Sequence, residues 1–429
     1  MFGFANFLLL ALFAAAVFDL IFALARGGGL RGALHGLWST PHLFFRQQLA
    51  EWRLQLGRIL FAAGLAAYEI SVVFCNSMAR QNWAWVQGVM SPVLEWLAFL
   101  CFGAKILFGT RYTWRELLAG GALYFIARWV YFNSQNIWWI GIVVAVLAAK
   151  DVPLRRPLQV YFASGCAAMA VVLALHFAGI VAPDLTSERM GALRGTYGYG
   201  HPNTFGGLVF GLVLAYALLR AQKVRWVDCL LVFAVGVFLL VGPASRSAAL
   251  CTLALAVGLV FCRLRAGHSV PRWWPGTCAG MVGLTAAVSY LLPLLVIKVG
   301  PWNNDIGPAW LAKLDSLLTC RISLTWMAYR LLDVKIAGQV FNWPTVDNSF
   351  AFALFQFGPV VAALLGILFA AALLGHAKQG RRVEVCCLFA MLAYAYMEVQ
   401  PFHLTTNPTA LLLCGAVFAQ TSARWQKIE

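Results

Sequence analysis

Apolar blocks long enough to cross a bilayer recur along the whole chain, and the charged residues gather in short clusters between them. A hydrocarbon core of ~30 Å takes about 20 helical residues. Blocks of that kind stand near 2–25, 57–79, 89–109, 112–132, 137–149, 157–182, 203–219, 226–242, 247–262, 275–297, 346–374, 383–399 and 407–423. A soluble core cannot be closed from such a pattern, because only 11% of the residues are charged where about a quarter is usual in soluble domains. The blocks are continuous rather than alternating, which excludes an outer-membrane barrel. The predicted fold class is all-α, a polytopic transmembrane helical bundle of about 12–14 spans. It forms a single integral-membrane domain over 1–429, with an extracytoplasmic loop of short amphipathic helices.

The 32 Lys and Arg give a net charge of +16, yet they lie in the connections, where they act as topology signals; no nucleic-acid partner is expected. When loops are assigned alternately to two sides, one side collects the clusters around Arg26–Arg58, Lys105–Arg115, Lys150–Arg156, Arg220–Arg225, Arg263–Arg272 and Lys378–Arg382. The positive-inside rule makes that side the cytoplasm of a multi-pass protein in the cell (cytoplasmic) membrane, with the N-terminus outside and the C-terminus inside. Met1 runs straight into an apolar stretch, which predicts an uncleaved first span. Residues 26–56 then form a cytoplasmic amphipathic connection on the inner leaflet. The 11 Cys fall mostly in apolar blocks without CxxC spacing and read as small hydrophobes.

Two polar excursions face the outer side, the loops 183–202 and 298–345. The first carries Arg194, Tyr197, Tyr199, Gly200, His201, Pro202 and Asn203 immediately before an apolar block. Pro202 suits the first turn of a helix, whose N-terminus attracts anions. Next comes Ser245-Arg246-Ser247 at an outer junction, where an arginine embedded in a tight turn calls for an anionic partner. In the second loop Leu314-Asp315-Ser316 precedes Arg321, and an amphipathic stretch from Trp326 to Val334 is expected to lie on the membrane. Asp347, followed by Asn348, is expected to cap the next span, and Glu398 is an acid at the outer end of the block 383–399. His403 reads as an interfacial histidine.

In their order, Arg194…Tyr199-Gly200-His201-Pro202-Asn203, Ser245-Arg246-Ser247, Leu314-Asp315-Ser316…Arg321 and Val346-Asp347-Asn348-Ser349-Phe350 resemble the O-antigen ligase and Wzy-type polysaccharide polymerase superfamily. The Gly-His-Pro-Asn-Thr-Phe-Gly string is similar to that of exopolysaccharide and capsule polymerases. The resemblance covers roughly 155–420. It implies a membrane glycosyltransferase, of inverting type, that moves a glycan from undecaprenyl diphosphate to a hydroxyl of an acceptor glycan at the outer face. On that reading Arg194, Arg246 and Arg321 meet the diphosphate and His201 serves as general base. Tyr197, Tyr199, Asn203, Asp347, Asn348 and Glu398 contact substrate. No acidic pair marks an outer helix end, so a metal-independent reaction without cofactor is expected. A ligase moving finished polymer to a lipid or wall acceptor shares the motif order, and a lipid-linked oligosaccharide flippase is a more distant alternative. Besides the lipid bilayer, a chain-length regulator stands as an optional partner.

Overall fold

The computed structural model describes residues 51–110, 112, 114–181, 187–189, 192–296 and 307–418. The predicted span 2–25 and most of the connection 26–56 lie outside the described residues. Helix α1 (Glu51–Cys75) already starts at Glu51, so the end of that connection is helical. Then follow α2 (Ser91–Phe108), α3 (Trp114–Ser134), α4 (Ile137–Ala148) and α5 (Arg155–Phe177). A small hairpin of β1 (Ser187–Arg189) and β2 (Ala192–Arg194) precedes α6 (Pro202–Leu219), α7 (Trp226–Val241), α8 (Arg246–Leu264) and α9 (Trp274–Leu291). The polar stretch after α9 holds α10 (Ala309–Leu317) and α11 (Arg321–Leu331), and α12 (Pro359–Lys378) and α13 (Arg382–Met397) return to the bundle. A 3₁₀ stretch, Pro408–Leu413, runs into a last turn, Cys414–Val417.

The protein is an all-α polytopic helical bundle. Seven described helices are long and apolar enough to cross a membrane: Leu54–Cys75, Val86–Phe108, Arg155–Phe177, Pro202–Leu219, Arg246–Leu264, Trp274–Leu295 and Pro359–Lys378. Among these α6 is the most enclosed, whereas α9 and α12 keep most of their surface outward, as lipid-facing helices do.

Turn chemistry fixes where the helices start and stop. Asn136 caps α4 by accepting from the Trp138 N–H at 2.9 Å. Between α6 and α7, Asp228 accepts from Tyr216 Oη at 2.6 Å, Arg220 Nε at 3.1 Å and the Arg225 N–H at 2.7 Å. That acid closes the turn and caps the second helix at once. The predicted span 346–374 is broken: a helical turn (Ser349–Phe352) and a π-helical turn (Ala353–Phe357) end at Gly358, whose φ is +87°. Only glycine adopts that conformation cheaply, and Pro359 then starts α12 as its first residue. The cap of the Ser349 turn is Asn348 and not Asp347, since Asn348 Oδ1 accepts from the N–H groups of Phe350 (2.9 Å) and Ala351 (3.1 Å).

Chain direction alternates, so the connections sort to two ends. At one end Met78 N–H donates to Gly198 O at 2.8 Å and Gln356 Nε2 to Ser134 O at 3.0 Å. At the other, Lys105 Nζ donates to Lys150 O and Arg382 Nη1 to Arg265 O at 2.6 Å. The first end carries all four motif elements; the second carries the basic clusters.

Candidate functional site

The first turn of α6 is where the motif elements meet. His201 sits in extended conformation before it and its Nδ1 accepts from the Asn203 N–H at 3.1 Å. Gly206 and Gly207 let two other elements press onto this turn: a Cβ on Gly206 would lie 2.3 Å from Ser245 Oγ, and one on Gly207 1.9 Å from Gln400 Oε1. Ser245, at the start of α8, and Glu398, just past the end of α13, thereby reach Asn203. The Asn203 carboxamide accepts from Arg194 Nη2 at 2.9 Å and donates to Glu398 Oε1 at 3.0 Å. Ser245 Oγ lies 3.5 Å from Asn203 Oδ1, and Arg194 Nη2 also donates to Ala244 O at 3.2 Å.

Below that carboxamide lies a buried ion pair. Arg321 Nη2 stands 2.6 Å from Glu398 Oε1, with side-chain exposures of 7% and 6%. Arg321 Nε donates to Met397 O, and Nη1 to Thr319 Oγ1 and, at 3.0 Å, to Leu318 O. Asp347 Oδ2 is 3.9 Å from the same guanidinium. Helix α11 can deliver Arg321 inward because Asp315, wholly buried, ties its first turn: the carboxylate accepts from the N–H groups of Ile322 (2.8 Å) and Ser323 (3.1 Å) and from Ser323 Oγ (2.8 Å). The helix begins five residues before Trp326, and its buried face holds Arg321, Ser323 and Thr325. Its first turn thereby enters the site. Ser349 Oγ donates to Glu398 O at 2.5 Å, which ties the acid's backbone to the short helix after Asn348.

Helix α13 ends at Met397 and leaves Glu398 in extended conformation outside it.

These contacts redistribute the expected roles. Arg321 spends its donors on protein oxygens and is a structural hub. Arg194 is buried and braces Asn203 against the α7–α8 turn. Arg246, expected inside a tight turn, is instead exposed at the first position of α8. The helix N-terminus offers less to an anion than its sequence suggests. Pro202 has no N–H, Asn203 donates to His201 Nδ1, and Thr204 and Phe205 donate to His201 O at 3.0 and 3.3 Å.

His201 is exposed, but a neutral imidazole whose Nδ1 accepts a hydrogen bond carries its proton on Nε2. The general-base role expected for it would require the cap to open. Tyr199 is buried in the core and Tyr197 stacks on Phe205, with ring centroids 5.0 Å apart. Asn348 is consumed as a cap and by a 3.1 Å donation to Ser289 Oγ. His403 packs 4.0 Å from the Trp138 ring, between helices. Sequence reasoning gave no role of their own to Thr319 or to Ser349, which it quoted only within a motif, and it did not foresee that the glycine pair 206–207 seats Ser245 and Gln400. Only the glycines, adjacent in an otherwise bulky apolar block, carried a signal of close approach.

Among the described residues no three of His, Cys, Asp and Glu come together as a metal ligand set. No family model matches the chain, and neither a curated protein nor a solved structure matches it.

Proposed function

We propose that the chain is a membrane glycosyltransferase that extends a polysaccharide by transferring undecaprenyl-diphosphate-linked repeat units at the outer face of the cytoplasmic membrane. The observation that carries this reading is the convergence of Arg194, His201, Asn203, Arg246, Arg321 and Glu398 at one end of the bundle, from segments up to about 200 residues apart in sequence. Such a site gathers polar groups at one end of a bundle whose long helices are apolar, which suits a donor with a lipid tail and a hydrophilic head.

In this reading Arg246 and His201, the two exposed residues of the cluster, face the diphosphate leaving group. Arg194, Asn203, Glu398 and Arg321 hold that surface in shape. Charge on the departing diphosphate is balanced by guanidinium, so the transfer proceeds without a metal ion.

Purified protein in lipid nanodiscs, supplied with a polyprenyl-diphosphate-linked oligosaccharide, should elongate glycan in excess EDTA. His201→Ala should lower turnover roughly 10- to 100-fold, the value of one hydrogen bond to a charged group. Arg246→Lys should stay impaired, since lysine lacks the planar fork. Absence of product, or activity strictly dependent on added magnesium, refutes the proposal. A fall of 10³-fold or more in His201→Ala, with loss of the acidic limb of the pH profile, would return His201 to the role of base.

A further inference from the structure

The far ends of α6 and α13 frame a second feature. Both helices run from the candidate site to the basic end, spans of roughly 27 and 24 Å at 1.5 Å per residue. There a cavity of about 240 Å³ opens between the ends of α5, α6, α12 and α13. Its rim carries Arg155, Arg220, Lys223 and Arg381; its walls are apolar, with Leu158, Leu218 and Leu412 among them. A second cavity of about 630 Å³ adjoins it, shares Lys223 and Arg381, and adds Arg225, Arg263 and Arg382.

Glu384 is the one carboxylate that lines either cavity among the described residues. Arg220 is neutralised by Asp228 at 3.1 Å. Arg155, Lys223 and Arg381 make no ion pair with a carboxylate among the described residues. His376 lines the same cavity, and its Nδ1 is buried without a hydrogen-bond partner among the described residues. Converging cations over an apolar wall select a ligand with an anionic head and a hydrocarbon body. The cavity borders Ala371, exposed on the flank of α12, which is among the least enclosed of the long helices. An acyl chain can therefore leave the cavity along a lipid-facing surface, which a nucleotide or an acidic peptide would have no use for.

We propose that this cavity is a binding site for an anionic phospholipid, its phosphate held by Arg155, Lys223 and Arg381 and one acyl chain laid along α12. The site lies at the opposite membrane face from the candidate active site and is independent of the glycosyl-transfer reading.

Native mass spectrometry of the full chain, released from nanodiscs of mixed phosphatidylglycerol and phosphatidylcholine, measures the retained lipid. Phosphatidylglycerol should be retained preferentially. At about fivefold per cation lost, the triple variant Arg155→Gln/Lys223→Gln/Arg381→Gln should bind on the order of 10²-fold more weakly. The charge-matched variant Arg115→Gln/Arg272→Gln/Lys378→Gln, whose residues line neither cavity, should retain the lipid. Should the triple variant fail to fold, Lys223→Gln alone, at an exposed position, should show the fivefold loss. Equal loss in the charge-matched variant, no preference for the anionic lipid, or displacement of the lipid by inorganic phosphate alone would each overturn the proposal.

Discussion

Replacing Arg321 with methionine should cost more than the ion pair itself is worth. Methionine fills a similar volume but leaves the Glu398 carboxylate buried without its counter-charge, and strands Met397 O and Leu318 O as acceptors. Breaking one side of a buried pair typically costs about 3–5 kcal/mol. Each stranded acceptor adds about 1 kcal/mol or more. The double variant Arg321→Met/Glu398→Gln should recover about 2–3 kcal/mol of this, because the neutral amide still accepts from Asn203 and carries no charge to desolvate. Unfolding of the purified variants in mixed micelles, by denaturant, measures the full cycle. Additive single effects would refute the account of Arg321 as hub of a buried pair.

A cysteine at Gly200, exposed and with open space around its Cβ position, should react with a membrane-impermeant maleimide in intact cells, and one at Gln379 should not. The assay needs a background without Cys320, the exposed native thiol at the same end, and the reverse labelling pattern would place the candidate site in the cytoplasm. Gly206→Ala puts a Cβ 2.3 Å from Ser245 Oγ and 2.6 Å from Ser245 Cβ, and should cost about 1–3 kcal/mol by forcing α6 and α8 apart. Micelle unfolding of that variant checks it, and a loss below about 0.5 kcal/mol would mean the helices yield there without strain.

Fold class was legible because hydropathy is a local property: most of the apolar blocks among the described residues are helical, and the basic clusters gather at one end of the bundle. What stayed hidden depends on tertiary contact. Asp347 and Asn348 are neighbours with the same capping chemistry, and only the backbone path decides that Asn348 caps while Asp347 turns toward Arg321 at 3.9 Å. The span predicted at 346–374 broke because the Gly358 conformation is set by the segment packed on it, whose Ile336 O would stand 2.1 Å from a Cβ there. Arginines 194, 246 and 321 look alike in sequence. Burial separates them into a brace, an exposed cation and a hub.

That separation bears on how a diphosphate would be met. Sequence alone offers three guanidinium groups, but charge already compensated inside the protein attracts a ligand weakly: Arg321 shares its field with Glu398 at 2.6 Å and Asp347 at 3.9 Å. On the proposed reaction Arg246, the exposed one of the three, faces the donor, and Arg321 acts through Glu398 and Asn203 on the placing of His201. Variants should divide accordingly. Arg246→Gln should weaken donor affinity with unfolding stability kept, because an exposed arginine at a helix start contributes little to the fold. Arg321→Met should lose stability first and turnover with it, and Arg321→Met/Glu398→Gln should regain part of both. Measured donor affinity that falls more in Arg321→Met than in Arg246→Gln, at equal stability, would reverse the assignment and make the buried arginine the one that meets phosphate.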